Sequence, residues 1–241
     1  MELVKAYKNE EFLMSEEARA VRILCEYMEP ARRFKAMGIR NAVIFFGSAR
    51  TRAKPGLGRD FYAEAADFAE RLARWTTDSH GEGERYYVCT GGGPGIMEAA
   101  HEGAARVDRN LNIGLGISLP FEQHGNPHVE LSRALEFHYF FMRKFWFLNL
   151  ARAAVIFPGG FGTMDELFEL LTLTQTGKSA PMPIVLFGKE FWEGLFNFRM
   201  LADRGLISEA DLDLFRICDT IDEALEYLVP TLERYHSPGG A

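Results

Sequence analysis

The chain has 241 residues, 47% hydrophobic and 25% charged, with a net charge of −7; this is the balance of a globular protein with a sizeable core, and its acidity argues against a general nucleic-acid or membrane-surface role. Three cysteines, Cys25, Cys89 and Cys218, lie far apart with no CxxC pair, which fits a reducing cytoplasm better than a disulfide framework. No apolar run approaches the roughly 18 residues of a membrane span, and the opening MELVKAYKNEEF lacks the apolar core of a signal peptide.

In chain order, residues 9–37 predict a helical preface. Ser15-Glu16-Glu17 offers a helix start, and Ala18, Val21, Leu24, Cys25 and Met28 recur at helical spacing. Pro30 is expected to interrupt or restart the helix and Gly38 to end it. Residues 1–38 therefore read as an extension packed on the main body or on a neighbouring subunit. From Asn41 the pattern changes. Ala42-Val43-Ile44-Phe45-Phe46 predicts a buried strand that ends in Gly47-Ser48-Ala49-Arg50, followed by a helix over 58–75. Tyr86-Tyr87-Val88-Cys89 predicts a second strand, ending in Thr90-Gly91-Gly92-Gly93-Pro94-Gly95, and then a helix from Ile96 to about Val107. A third strand covers Asn112 to Ile117, and residues 119–130 form a polar loop with two prolines.

Leu131 to Phe137 predicts a short strand, and Tyr139 to Ala151 a very aromatic helix. The strand 153–157 leads into Pro158 to Glu166, PGGFGTMDE, and a helix to about Gln175. Ile184 to Phe187, a helix over 189–204, a small strand at 214–217 and a last helix over 220–234 complete the order. Strands alternating with helices at this spacing imply an α/β fold: a doubly wound, Rossmann-like parallel sheet with helices on both faces. With no internal repeat or linker, residues 39–236 read as a single nucleotide-binding domain and 237–241 as a loose tail.

Ligands of such sheets bind beyond the carboxyl ends of the strands, where three glycine turns converge: Gly47-Ser48, Gly91 to Gly95, and Gly159 to Gly162. In PGGFGTMDE the glycines permit close backbone approach and positive φ, and the helix start offers unpaired N–H groups to a phosphate. Thr163 to Glu166 also has the T-x-x-E form of a capping box, in which Glu166 would merely return to the backbone and Asp165 would be a first-turn acid. Residue chemistry leaves the two readings level. Arg143 and Lys144, inside the aromatic helix, face either solvent or a polar cleft. The second turn is neither a Walker A loop nor GxGxxG, so NAD binding and ATP hydrolysis are poorly supported. His124 and His128 are separated by Gly125 and Pro127, so no helix presents them to a metal, and Ser48 has no evident triad partners.

PGGFGTMDE at 158–166, Arg143-Lys144 upstream and TGGGPGIMEAAHEGA at 90–104 resemble the LOG family, phosphoribohydrolases that release the base from nucleoside 5′-monophosphates such as AMP or cytokinin ribotides. Members are often labelled possible lysine decarboxylases. FGSAR, the FHYFF-x-RK segment and the helical extension are similar to its longer branch. The resemblance implies a catalytic pair, Arg143 and Glu166, and a phosphate cradle of Gly159, Gly160, Gly162 and Thr163. It implies further nucleotide contacts from Gly92, Gly93, Ser48, Arg50 and Lys144, no metal or other cofactor, and a homodimer or higher homo-oligomer in the cytoplasm. Phe140-Phe141-Met142 stands where the shorter branch has Met-His-x, which bears on the preferred base. A pyridoxal-phosphate decarboxylase would need a lysine for a Schiff base, which the pattern does not indicate. The rival is a non-catalytic nucleotide carrier or sensor on the same sheet.

Overall fold

The computed structural model describes residues 3–52, 59–118 and 126–234. The tail 237–241, the first part of the 119–130 loop and His124 lie outside the described residues. The chain begins with α1 (Glu10–Met14) and α2 (Arg19–Ala36), followed by β1 (Asn41–Phe46), α3 (Phe61–Ser79), β2 (Tyr86–Thr90) and α4 (Ile96–Asp108). Next come β3 (Asn112–Ile117), β4 (Ala134–Phe137), α5 (Phe140–Leu150), β5 (Ala151–Ile156) and α6 (Phe161–Gln175). The last elements are β6 (Ile184–Phe187), α7 (Lys189–Leu195), α8 (Phe198–Asp203), β7 (Arg216–Cys218) and α9 (Ile221–Arg234). Among the described residues no helix is long and apolar enough to cross a membrane.

The strands form one seven-stranded sheet in the order β4-β3-β2-β1-β5-β6-β7, and every pair is parallel. The doubly wound expectation is therefore met. Strands covered on both faces must be apolar throughout rather than alternating, and β2, β5 and β6 are almost entirely buried. After β4 the chain crosses through α5 to the far side of β1. The order reverses between β1 and β5, and a crevice opens beyond the carboxyl ends at such a reversal. On the other side of the fold α3 and α4 pack tightly enough that a Cβ on Gly103 would overlap the Ala66 backbone.

Three element boundaries depart from the pattern read in the sequence, each for a local reason. The helical preface breaks at residues 15–18, where the Arg22 guanidinium donates to the Leu13 and Ser15 carbonyls at 2.7 and 2.6 Å and folds α1 back on α2. Pro30 does not interrupt α2. A proline cannot bond the carbonyl four residues back, and here that carbonyl, on Glu26, accepts from the Trp146 indole N–H of α5 at 2.9 Å. The helix expected over 189–204 is two helices, because Phe196 is extended, Asn197 leaves the helical region, and the Asn197 side chain accepts from the Met200 N–H to cap α8.

The Pro30–Trp146 arrangement makes a stability prediction. Trp146→Phe leaves the Glu26 carbonyl without its donor and should cost about 1–3 kcal/mol in urea unfolding. In a Pro30→Ala background a restored amide can take that carbonyl, so the same substitution should cost measurably less.

Candidate functional site

The site grows from the three turns at the carboxyl edge. The backbone of Ser48 joins them: its N–H donates to the Pro158 carbonyl at 3.0 Å, and its carbonyl accepts from the Ile96 N–H at 3.1 Å. Such close approach has no room for side chains. A Cβ on Gly47 would sit 2.8 Å from Ile96, and one on Gly95, held at φ +74°, would overlap the Ser48 carbonyl. The Ser48 hydroxyl accepts from the Arg50 N–H at 3.0 Å, which tightens the same turn.

α6 begins at Phe161 with Gly160 as its N-cap, so Thr163 lies inside the first turn and cannot be the cap of a T-x-x-E box. The capping reading of Glu166, and of Asp165 as a first-turn acid, is thereby overturned. The first helical bond runs from the Met164 N–H to Gly160 at 3.0 Å, so the N–H groups of Phe161, Gly162 and Thr163 have no partner in the helix. The glycines here serve room rather than handedness. None of Gly159, Gly160 and Gly162 has a positive φ. A Cβ on Gly159 would overlap the buried Thr163 side chain, whereas one on Gly160 or Gly162 would meet nothing within 4 Å.

Opposite α6, α5 brings its two cations to different tasks. Arg143 reaches Glu166, Nη2 to Oε1 at 3.4 Å, with side-chain exposures of 12% and 14%, and its guanidinium lies over the rings of Phe140 and Phe147. Lys144 does not join the cleft. It is tied to Asp165 at 2.7 Å and Glu169 at 3.1 Å on the outer side of α6. The same four-residue periodicity that aims Arg143 inward aims its neighbour about 100° away. Burial pushes the Glu166 carboxyl up to about 7; Arg143 and Lys144 oppose that shift, and the negative charges of Asp165 and Glu169 add to it. Desolvation outweighs the ion pair because the 3.4 Å contact is long for a charge-assisted bond.

A cleft of about 1460 Å³ runs along this edge. Ser48, Arg50, Gly92, Gly93, Arg143, Gly159, Gly160, Gly162, Thr163 and Glu166 all line it, so ten of the eleven sequence-proposed site residues meet in one place. The sequence reading missed others on its walls, including Met97, Gly114, Gly116, Val129 and Glu136. The Gly114-Leu115-Gly116 alternation inside a strand was the available signal. His101 was also missed. Its Nε2–H donates to the Ile113 carbonyl and its Nδ1 accepts from Asn126, both at 3.1 Å. Burial holds its pKa down to about 3, so it stays neutral, and it latches the segment that carries Val129 over the cleft. Among the described residues no group of three or more His, Cys, Asp or Glu could hold a metal.

A crevice at the reversal of the sheet, with an open helix N-terminus and a buried carboxylate–guanidinium pair, is the ligand-site position of a doubly wound α/β protein. A family model described as "Possible lysine decarboxylase" matches residues 97–228, and the chain belongs to that family. It is 27% identical to the "Probable cytokinin riboside 5'-monophosphate phosphoribohydrolase LOG4" of Oryza sativa subsp. japonica over 79% of this chain and 76% of that protein. It is 32% identical to the "Pyrimidine/purine nucleotide 5'-monophosphate nucleosidase" of Escherichia coli strain K12 over 47% of this chain and 26% of that one. The X-ray structure of TM1055 shares the fold, with a TM-score of 0.51 at 22% identity over 77% of this chain and 96% of that one. A pyridoxal-phosphate decarboxylase would need a lysine in the cleft for its Schiff base. No lysine lines the cleft among the described residues, and Lys144, the nearest in sequence to Arg143, is held by two carboxylates outside it.

The contrast between the glycines is testable by thermal or urea unfolding. Gly162→Ala, with open space around the added methyl, should be neutral or stabilise α6 by up to about 1 kcal/mol. Gly159→Ala should destabilise by more than about 1 kcal/mol, because the Thr163 side chain must be displaced.

Proposed function

We propose that the protein hydrolyses the N-glycosidic bond of nucleoside 5′-monophosphates, AMP-like or cytokinin-type, releasing the free base and ribose 5-phosphate. The observation that carries this reading is Glu166, paired with Arg143 one turn inside a helix whose first three residues line the cleft and whose first N–H groups make no helical bond. The names of the rice and Escherichia coli relatives support the reaction class.

The two glycine-turn helices differ in what they offer an anion. α4 has its Ile96 N–H taken by Ser48 and Glu98 in its first turn. Among the described residues, α6 has no acid in its first turn and no side-chain cap on its leading N–H groups. A phosphate is therefore better placed on α6, where the N–H groups, the helix dipole and the Thr163 hydroxyl can hold it. Thr163 and Glu166 are three residues apart on one helix face, about 4.5 Å along the axis. A ribose anchored by its phosphate at Thr163 would thus bring C1′ toward the Glu166 carboxylate. That spacing also keeps the two negative groups on different parts of the ligand.

Cleavage of the C1′–N bond sends the electron pair to the departing base and leaves positive charge on the ribose. A carboxylate beside it lowers the barrier. Glu166 also accepts the proton of the attacking water as the new C1′–O bond forms; the base takes a proton from solvent as it leaves, and Glu166 returns its own to solvent, so that one water is consumed overall. Arg143 holds the sugar and assists the base's departure. Fixing the phosphate converts binding energy into orientation of C1′.

Base release from AMP tests the assignment. Glu166→Gln should lower kcat/KM by about 10²–10⁴-fold, and full activity in the variant would remove Glu166 from the reaction. The carboxylate is the working form and its pKa is pushed up to about 7. The wild-type kcat/KM should therefore rise with pH through a limb near 7 and level off above it, rather than near the usual 4.5 of a glutamate. A limb near 4.5 would contradict the buried, ionising role.

A further inference from the structure

On the sheet side of the cleft, two strand glycines are not required by the protein's own packing. Gly47, Gly95, Gly103 and Gly159 are each hemmed in by a neighbour that a Cβ would strike. Gly114 and Gly116 are different. Both sit in β3 with φ in the normal range. An added Cβ would come no nearer than 3.6 Å to Val129 Cγ1 at Gly114 and 3.5 Å to the Leu135 carbonyl at Gly116, which are ordinary contacts. A glycine inside a strand gives up about 0.5–1 kcal/mol relative to alanine. Where neither φ nor packing demands it, the remaining physical reason is room for something that comes close to the backbone.

Their placement indicates what that is. Side chains two apart on a strand share a face, and both glycines line the cleft. Gly114 pairs with Ala134 and Gly116 with Glu136 on the adjacent parallel strand, so the bare surface continues onto β4 with a single carboxylate at its edge. The surface adjoins the reacting pair. Arg143 Nη1 is 3.8 Å from the Cβ position of Gly91, and the Gly91 carbonyl is 3.9 Å from that of Gly116. With the phosphate on α6 and C1′ at Glu166, a base extending past Arg143 would lie flat over Gly116, with Met97 beside it and Val129 closing the Gly114 end of the floor. The Ser118 hydroxyl donates to Glu136 Oε1 at 2.6 Å, which fixes the carboxylate and leaves its second oxygen to accept from a ligand. A carboxylate accepts and does not donate, so it favours a base edge that presents an amino group over one that presents a carbonyl.

Resting on the phosphoribohydrolase reading above, we propose that Gly114 and Gly116 floor a slot for the nucleobase and that Glu136 selects bases bearing an exocyclic amino group. The test has two arms. In calorimetry, Gly116→Val should weaken AMP binding about tenfold while leaving ribose 5-phosphate, which has no base, at its wild-type affinity. Gly116→Ala should keep or raise the thermal midpoint and show a smaller effect on AMP binding in the same direction. In the second arm, wild-type protein should favour AMP over IMP, and CMP over UMP, by about tenfold. Glu136→Gln, whose amide can both donate and accept, should bring each ratio close to one. Unchanged AMP affinity in Gly116→Val, or equal weakening of ribose 5-phosphate, would overturn the slot. A preserved AMP-to-IMP ratio in Glu136→Gln would overturn the selection. If wild-type protein released no base from any nucleotide, the hydrolytic reading would fail, and the calorimetric comparison, including AMP against IMP in Glu136→Gln, would still decide the slot and its selectivity.

Discussion

The arrangement of this protein's cleft depends on the backbone of one residue, Ser48. It spans the reversal of strand order between β1 and β5, giving its N–H to Pro158 after β5 and receiving the Ile96 N–H at the start of α4. Backbone groups bonded across such short gaps exclude side chains, which is why Gly47 and Gly95 flank the contact. The same bonds divide the labour of two helix ends. By taking the leading N–H of α4, the Ser48 carbonyl makes that terminus part of the framework. The terminus of α6 stays open to the cleft. Two glycine-rich turns that look alike in the sequence thus differ in role because one is consumed in holding the edge together.

Electrostatics at the site follow from how α5 and α6 face each other. Arg143 and Lys144 are neighbours in sequence but separate around the helix, and each meets acid on α6. Lys144 is absorbed by Asp165 and Glu169 outside the cleft. Those two carboxylates raise the Glu166 carboxyl while Lys144 and Arg143 lower it, so Lys144 moderates the site from behind instead of touching a ligand. Burial remains the dominant influence. A carboxyl poised near neutrality beside a guanidinium can shift between holding and releasing a proton during a reaction, which an exposed first-turn acid could not do as well.

Much of this was legible in the chain. Apolar runs such as Val43 to Phe46 and Val185 to Phe187, alternating with helical stretches and closed by glycine turns, specify a parallel sheet and the edge where its ligands bind. What the sequence could not settle were choices made by tertiary contacts. Thr163-x-x-Glu166 has the spacing of a cap, and only the start of α6 at Phe161, two residues earlier, shows that Glu166 turns to Arg143 instead. Pro30 looks like a helix breaker until Trp146, 116 positions later, supplies the missing donor. A glycine carries no sign of why it is there. Gly92 holds a positive φ, Gly159 makes room for Thr163, and Gly116 lies on the cleft wall with only backbone carbonyls near its Cβ position. These are three different needs met by one residue type.

The central claim is that this cleft breaks the bond between ribose and base. Combined phosphorus and proton NMR of AMP incubated with the wild-type protein measures that most directly, because it identifies both fragments at once. The account predicts adenine and ribose 5-phosphate appearing together in equal amounts. AMP recovered intact after prolonged incubation with stoichiometric protein would contradict it, as would adenosine accompanied by inorganic phosphate.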